Sequence, residues 1–252
     1  MTVASDIEVQ RLAALVRDAG SVVALTGAGI SVPSGIPDFR SPGTGLWEKV
    51  NPMEVAHIDV FRRDPERFWH FYGDRFATLR TKEPNGAHRA LVALEEAGHL
   101  DAVITQNIDQ LHRRAGSREL VEVHGSIATC SCLACRASVE LDDARARLAG
   151  DPAGVPRCDC GQPLKPDVVL FGEVLDSVRM ERAFALAGQA DVLLCIGTSL
   201  EVYPVAGLPD VTLRSGGALA IVTQGPTPFD REARVRLGGD VVSELEALVA
   251  AL

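Results

Sequence analysis

The sequence predicts an α/β fold built on a doubly wound parallel sheet, with smaller segments inserted between its strands. Five runs point to it. "SVVALTGAGIS", "DAVITQNID", "LVEVHGS", "DVLLCIGTS" and "ALAIVTQG" each pass from a short β-branched or aliphatic stretch into small and polar residues. Helical patterns over residues 8–19, 87–97 and 177–187 precede three of these runs, the alternation expected of parallel strands joined by helices. Polar chemistry gathers at the carboxyl ends of the runs, where such sheets bind their ligands. With 252 residues, 46% of them hydrophobic, the chain can bury one large core.

The first strand runs into "GAGISVPSGIPDFR". Gly27 and Gly29 allow backbone N–H groups to approach a pyrophosphate at a helix N-terminus. Val32 stands where the third glycine of a dinucleotide fingerprint would fall, so a plain tight turn is the alternative. Residues 33–84 then break the α/β rhythm with a Pro/Gly-rich loop and a helix, for which Asp64 is the expected N-cap and Pro65 the first residue. On that helix Phe68, Tyr72, Arg75 and Leu79 share one stripe. No acid lies three or four residues to either side of Arg75. The guanidinium therefore faces an external anion, reaches solvent, or pairs with a distant acid.

Residues 126–166 form a second interruption and hold all the cysteines but one. Cys132 and Cys135 make a CxxC, Cys158 and Cys160 a CxC, and 22 residues separate the pairs. Four thiolates leave no open position on tetrahedral zinc, so the expected site is structural. Cys130 lies close enough in sequence to compete as a ligand, and free thiols or disulfides are the alternative. Cys195 lies inside an apolar run and reads as a buried small residue.

The net charge of −9 argues against a duplex-binding surface and suits a partner that presents lysine-rich segments. No window approaches the roughly 18 apolar residues of a membrane span. The start, "MTVASDIEVQ", has neither a basic stretch nor a long apolar run. A cytoplasmic location is expected, with neither nucleic acid nor membrane as a partner.

Taken in order and at their spacings, "GAGISVPSGIPDFR", "TQNID", "VHG", the paired cysteines, "KPDVVLFGE" and "GTSLEVYP" resemble the sirtuin family of NAD-dependent protein lysine deacylases. The resemblance runs from about Val22 to the C-terminus. It implies a Rossmann-type NAD-binding domain over 1–32, 85–125 and 167–252, a helical insertion with a cofactor loop over 33–84, and a zinc-binding module over 126–166. NAD and zinc are the implied cofactors, and acyl-lysine proteins the implied partners.

In the family's chemistry the acyl oxygen attacks the ribose carbon that bears nicotinamide. A ribose hydroxyl, losing its proton to a base, then resolves the adduct. His124 of "VHG" is the implied base, since histidine titrates near neutrality. Asn107 would position the ribose and the attacking species, with Gln106 beside it, while Ile108 and Asp109 receive the nicotinamide carboxamide. Gly27, Ala28, Gly29, Ser31 and Ile36 would line the cofactor. Phe39 would cover the nicotinamide side after cleavage, and Asp38 with Arg40 would fix that loop. Gly197, Thr198 and Ser199 would bond the adenosine half. Thr223 stands where the family usually has asparagine, at the contact to the adenine ribose, and Val241 would lie near the adenine.

Residues 168–173 and 201–204 resemble the two edges between which a peptide lies as an added strand. Val169, Phe171, Gly172 and Glu173 belong to the first, Val202 and Tyr203 to the second. Tyr72 and Arg75, with Ala56 sixteen residues before the tyrosine, resemble the class III subgroup that removes acidic acyl groups, succinyl and malonyl. The guanidinium would hold a terminal carboxylate through two charge-assisted bonds, and the small Ala56 would leave room for the chain. The alternatives are a plain deacetylase, a mono-ADP-ribosyltransferase with the same site, and a non-catalytic NAD or zinc-ribbon module, which should lack His124 or Asn107.

Overall fold

The structure is a computed structural model that describes residues 6–38 and 50–252. Its strands are β1 (Val22–Thr26), β2 (Ala102–Thr105), β3 (Leu120–Glu122), β4 (Gly125–Cys132), β5 (Ser138–Glu140), β6 (Leu164–Val168), β7 (Val192–Ile196), β8 (Ala218–Val222) and β9 (Ala233–Leu237). Six of them form one parallel sheet in the order β3-β2-β1-β7-β8-β9. Every residue of β1, β2 and β7 is buried, as near-continuous aliphatic runs require when helices cover both faces.

On one face the helices Asp6–Asp18, Gly86–Glu96 and Val241–Ala251 bury Leu12, Leu91 and Leu248 against Ala24, Leu194 and Ala220. On the other, Ser177–Gln189 and Leu208–Arg214 bury Ala183, Leu186 and Leu208 against Leu25, Leu193 and Ile221. A doubly wound sheet is the result. β9 is an additional edge strand; Arg234 and Arg236 break its aliphatic pattern, which hid it from the sequence.

β5, β4 and β6 form a separate antiparallel sheet. The helix Pro65–Arg80 packs on it, with Phe68, Trp69 and Phe76 in one cluster with Ile127, Leu141 and Leu164. Trp69 Nε1 donates to the Leu164 carbonyl at 3.0 Å. Asp64 caps this helix by accepting from the Arg67 amide, and Pro65 is its first residue, both as expected. The loop predicted before it contains two short helices, Pro52–Val55 and Ile58–Arg63, capped by Asn51 and His57.

Candidate functional site

The strand order reverses between β1 and β7, and their carboxyl ends lie level, with Thr26 beside both Thr105 and Ile196. A crevice outside such a reversal is where open α/β sheets bind nucleotides. The glycines here have a more immediate task than approach to a pyrophosphate. A Cβ on Gly29 would lie 2.7 Å from the Gly197 Cα, and one on Gly197, whose φ is +58°, 2.3 Å from the Ile30 nitrogen. The two loops touch only because all three positions, Gly27 included, lack side chains. The expected free amides are also engaged, since Gly27 N donates to the Ile196 carbonyl at 3.0 Å and Gly29 N to the Gly197 carbonyl at 2.8 Å. A 3-10 helix, Ala28–Ser34, comes directly after this strand and its glycine.

The loop after β2 supplies the densest polar group. Asn107 Nδ2 donates to the Gly27 carbonyl and to Ser31 Oγ, each at 3.1 Å. Ser31 Oγ donates in turn to Asp109 Oδ2 at 2.6 Å, and the other Asp109 oxygen caps Leu111 N at 2.9 Å. Burial raises the Asp109 pKa, with the Ser31 bond opposing it. These bonds orient Asn107 so that its side-chain carbonyl is the end with no protein partner among the described residues. Gln106 Nε2 reaches Thr198 Oγ1 at 2.9 Å, tying the β2 loop to the β7 loop.

His124 lies between the two sheets, after β3 and immediately before β4, so the predicted single run "LVEVHGS" is in fact two strands. Gly125 makes that break with φ +78°, where a Cβ would meet the Asp167 carbonyl at 2.1 Å. His124 Nδ1 is 2.9 Å from the Gln106 carbonyl oxygen. A carbonyl only accepts, so Nδ1 carries the proton and Nε2 keeps its lone pair. Burial lowers the His124 pKa, partly offset by that bond. A half-buried imidazole that is neutral at pH 7, with no partner on Nε2 among the described residues, can take a proton.

The segment after β6 is stitched to both neighbours. Val169 N donates to the His124 carbonyl at 2.8 Å, Phe171 N to the Ala56 carbonyl at 2.9 Å, and Ile58 N to the Phe171 carbonyl at 3.0 Å. Ala56 is thereby brought beside the proposed peptide edge. Phe171 remains 41% exposed and Tyr203 72%, apolar surface that suits an added strand. Gly172, at φ +81°, lies against His57. Glu173 closes the turn by accepting from Leu170 N.

Tyr72 follows the predicted stripe, stacked on Phe76 at 4.9 Å and half-buried. Arg75 does not. Its guanidinium turns out of the stripe, bonds the Phe71 carbonyl and lies 3.7 Å over the Phe71 ring. A charge without a partner avoids the aromatic cluster around Phe68 and Phe76, and the ring face offers it cation–π attraction. Among the described residues it has no carboxylate partner, whereas Arg67 and Arg80 pair with Glu54 and Asp142.

Cys132, Cys135, Cys158 and Cys160 bring their Sγ atoms within 4.8 Å of one another. The Cys132–Cys160 and Cys135–Cys158 separations are 3.6 and 3.5 Å, close to the about 3.8 Å edge of a tetrahedron with zinc–sulfur bonds of about 2.3 Å. The cluster is a zinc-binding arrangement. Cys130 stands outside it, buried, with its thiol pushed up to about 12 by burial and the Asp167 charge.

Thr223 and Ser199 follow β8 and β7, and Val241 opens the helix after β9, so these lie past carboxyl ends of the large sheet; Ala28 opens the 3-10 helix and Ile36 lies just beyond it. Val202 and Tyr203 lie in the loop beyond Ser199. Asp38 is at the limit of the described segment, while Phe39 and Arg40 fall outside the described residues. Sequence reasoning missed Thr26, Thr105, His112 and Lys165, all buried polar groups beneath or beside the site. Three carried a signal, since Thr26, Thr105 and Lys165 are polar residues within strands, whereas His112 lies in the short helix Leu111–Ala115 after the "TQNID" loop, where nothing in the sequence marks it as buried.

The Sir2 family profile matches residues 27–204. An NAD-dependent protein deacetylase of Sulfolobus acidocaldarius is 44% identical, over 90% of this chain and 88% of its own. An NAD-dependent protein deacylase of Aeropyrum pernix is 43% identical over 91% of each. The solved structure of a variant Sir2 protein with a deacetylated p53 peptide and 3'-O-acetyl ADP ribose superposes with a TM-score of 0.91 at 40% identity, covering 96% of this chain and 97% of that one. The fold and site thus define a sirtuin. The chain belongs to the Sir2 family.

Proposed function

We propose that this enzyme, an NAD-dependent protein lysine deacylase like its relatives, favours acidic acyl groups, succinyl and malonyl, over acetyl. NAD supplies the electrophilic ribose carbon and the hydroxyl that receives the acyl group. His124 takes the hydroxyl proton at Nε2, the nitrogen left bare by the bond from Nδ1 to Gln106. Asn107, held through Nδ2 by Gly27 and Ser31, presents its carbonyl to the ribose. Asp38, Phe39, Arg40, Ile108 and Asp109 serve the nicotinamide side, and Thr198, Ser199, Thr223 and Val241 the adenosine side. The peptide lies along residues 168–173 and 201–204. The cysteine-bound zinc holds its module together without touching substrate.

The observation that carries the acyl preference is an arginine with no acid partner among the described residues, beside a half-buried phenol. Burial pushes the Tyr72 pKa up to about 12, against the pull of the Arg75 charge, so Tyr72 stays protonated and can donate. Arg75 sits one turn along and, among the described residues, has given only one bond, to a main-chain carbonyl. A terminal carboxylate offers it two charge-assisted bonds instead, and Tyr72 adds a third. An acetyl group offers none. Each such bond contributes roughly 1.5–3 kcal/mol, so kcat/KM for succinyl- or malonyl-lysine should exceed that for acetyl-lysine by about ten- to a hundred-fold. Arg75→Met should remove most of the preference and spare deacetylation. Equal cleavage of acetyl- and succinyl-peptides by the wild type, or equal loss of both in Arg75→Met, leaves a plain deacetylase.

A further inference from the structure

Under the cofactor loops lies a line of buried polar groups that the proposed chemistry does not use. Thr26 Oγ1 donates to Thr105 Oγ1 at 2.8 Å, and Thr105 Oγ1 also accepts the Asn107 amide at 3.1 Å. With the Thr26 hydrogen committed, the 2.9 Å contact between Thr26 Oγ1 and His112 Nε2 requires the ring to donate. His112 is then protonated on Nε2, and its Nδ1 is a bare acceptor. Nδ1 is buried and has no partner among the described residues.

The neighbouring histidine is fixed from its other end. Asn85 N approaches His88 Nδ1 at 3.4 Å, completing the capping box of the helix Gly86–Glu96. An amide only donates, so His88 Nδ1 accepts and its Nε2 carries the proton. That N–H is buried too, and unpartnered among the described residues. The two rings lie 4.8 Å apart, at 61° to each other. The stretch thus holds one orphan donor and one orphan acceptor, on adjacent rings with 0% and 2% exposure. Unsatisfied groups at such depth are costly, and a complementary pair is the arrangement that removes both costs.

We infer that His88 and His112 complete a hydrogen-bond chain in which each donor points the same way, from the Asn85 helix cap through both rings and Thr26 to Thr105 Oγ1, the atom that also accepts the Asn107 amide. In it His112 is a positioning residue for the loop that carries Asn107. The two nitrogens make no direct bond, so the link between the rings runs through a single buried water that accepts from His88 and donates to His112, keeping the same direction. Burial keeps both rings neutral, as the chain requires: His88 is lowered to about 4 and His112 well below its usual value. The inference rests on the reading of "TQNID" as a cofactor loop, yet its hydrogen-bond order can be tested without any activity.

The first test is nitrogen-15 NMR of the histidine rings in the ligand-free wild type at neutral pH. Both His88 and His112 should be neutral with the proton on Nε2; a proton on His112 Nδ1 overturns the chain. The second compares NAD and acyl-peptide dissociation constants in His112→Phe and His112→Gln, since a glutamine amide can replace the Nε2 donor and phenylalanine cannot. His112→Phe should weaken NAD binding about ten-fold, the scale of one lost buried partner, and leave peptide binding within about two-fold. His112→Gln should recover most of the loss. Unchanged NAD binding in His112→Phe, or equal losses for NAD and peptide, overturns the positioning role. A wild type that bound no NAD would overturn the cofactor-loop reading instead, with the ring tautomers still deciding the chain.

Discussion

Lys165 Nζ lies 3.0 Å from Glu173 Oε2, and its two remaining protons go to the carbonyls of Pro166 and Val168 at 3.1 and 2.8 Å. The lysine is 6% exposed, so it brings a charge into the base of the proposed peptide edge and satisfies it completely. Glu173 in turn holds the Leu170 amide. Breaking one partner of a buried pair costs far more than the pair is worth. Lys165→Met should therefore lower stability by about 3 kcal/mol and raise the KM for peptide more than that for NAD, while Lys165→Arg should restore most of both. Urea unfolding and steady-state kinetics check this. Parallel changes in the two KM values would detach Lys165 from the peptide edge.

His124→Ala should reduce turnover of any acyl-lysine peptide at least ~10²-fold, the usual scale for a positioned base. The pH profile carries a sign as well. Burial lowers the His124 pKa below 6.5, and the neutral ring is the active form. The acid limb of kcat/KM for the free enzyme should thus fall below pH 6.5, with a plateau through neutrality. An acid limb centred above 6.5 would contradict the environment described for this ring.

One tightly held zinc should be found per chain. Cys132→Ser or Cys158→Ser should release it and unfold the module, because a closed thiolate site couples metal binding to folding. Cys130→Ala should keep zinc in place, its thiol being buried away from the other four. Metal analysis of the purified variants distinguishes these cases. Loss of zinc from Cys130→Ala would make Cys130 a ligand.

Much of this was legible in the sequence, for identifiable physical reasons. The β1, β2, β7 and β8 runs are buried on both sides, so their aliphatic residues and polar ends announced them. The cysteine pairs announced their cluster, and Pro65 with Asp64 announced the helix start. β9 was hidden because an edge strand tolerates Arg234 and Arg236. His124 read as a strand end, but only the positive φ of Gly125 shows that two sheets meet there. Helical spacing gave the face of Tyr72 and misplaced Arg75, since a long side chain chooses between neighbours that spacing does not rank, and the Phe71 ring and carbonyl won. The Thr26–His112 contact joins residues 86 apart in sequence.

Acid should destabilise the fold through its buried histidines. His88 titrates near 4 in the folded state against 6.5 when exposed, so the unfolded chain takes up the proton first. The stability of the neutral buried form is fully present above about pH 6.5 and is lost as pH falls from there toward 4. For His88 alone the loss between pH 7 and pH 5 is about 2 kcal/mol, and His112 adds to it in the same direction. Urea midpoints at the two pH values measure the loss, and His88→Phe should flatten the slope. A wild type equally stable at pH 5 and 7 would mean that these rings are not buried neutral.

Deacylation of acidic acyl groups is tested most directly by the products of a single incubation: the protein with NAD and a succinyl-lysine peptide, then mass spectrometry of peptide, protein and small molecules. The result expected is a peptide lighter by the acyl group, with nicotinamide and O-succinyl-ADP-ribose formed in equal amounts and no mass added to protein. ADP-ribose left on protein with the acyl-peptide intact would make this a transferase, and an absence of nicotinamide release with every acyl-lysine peptide would contradict the deacylase account altogether.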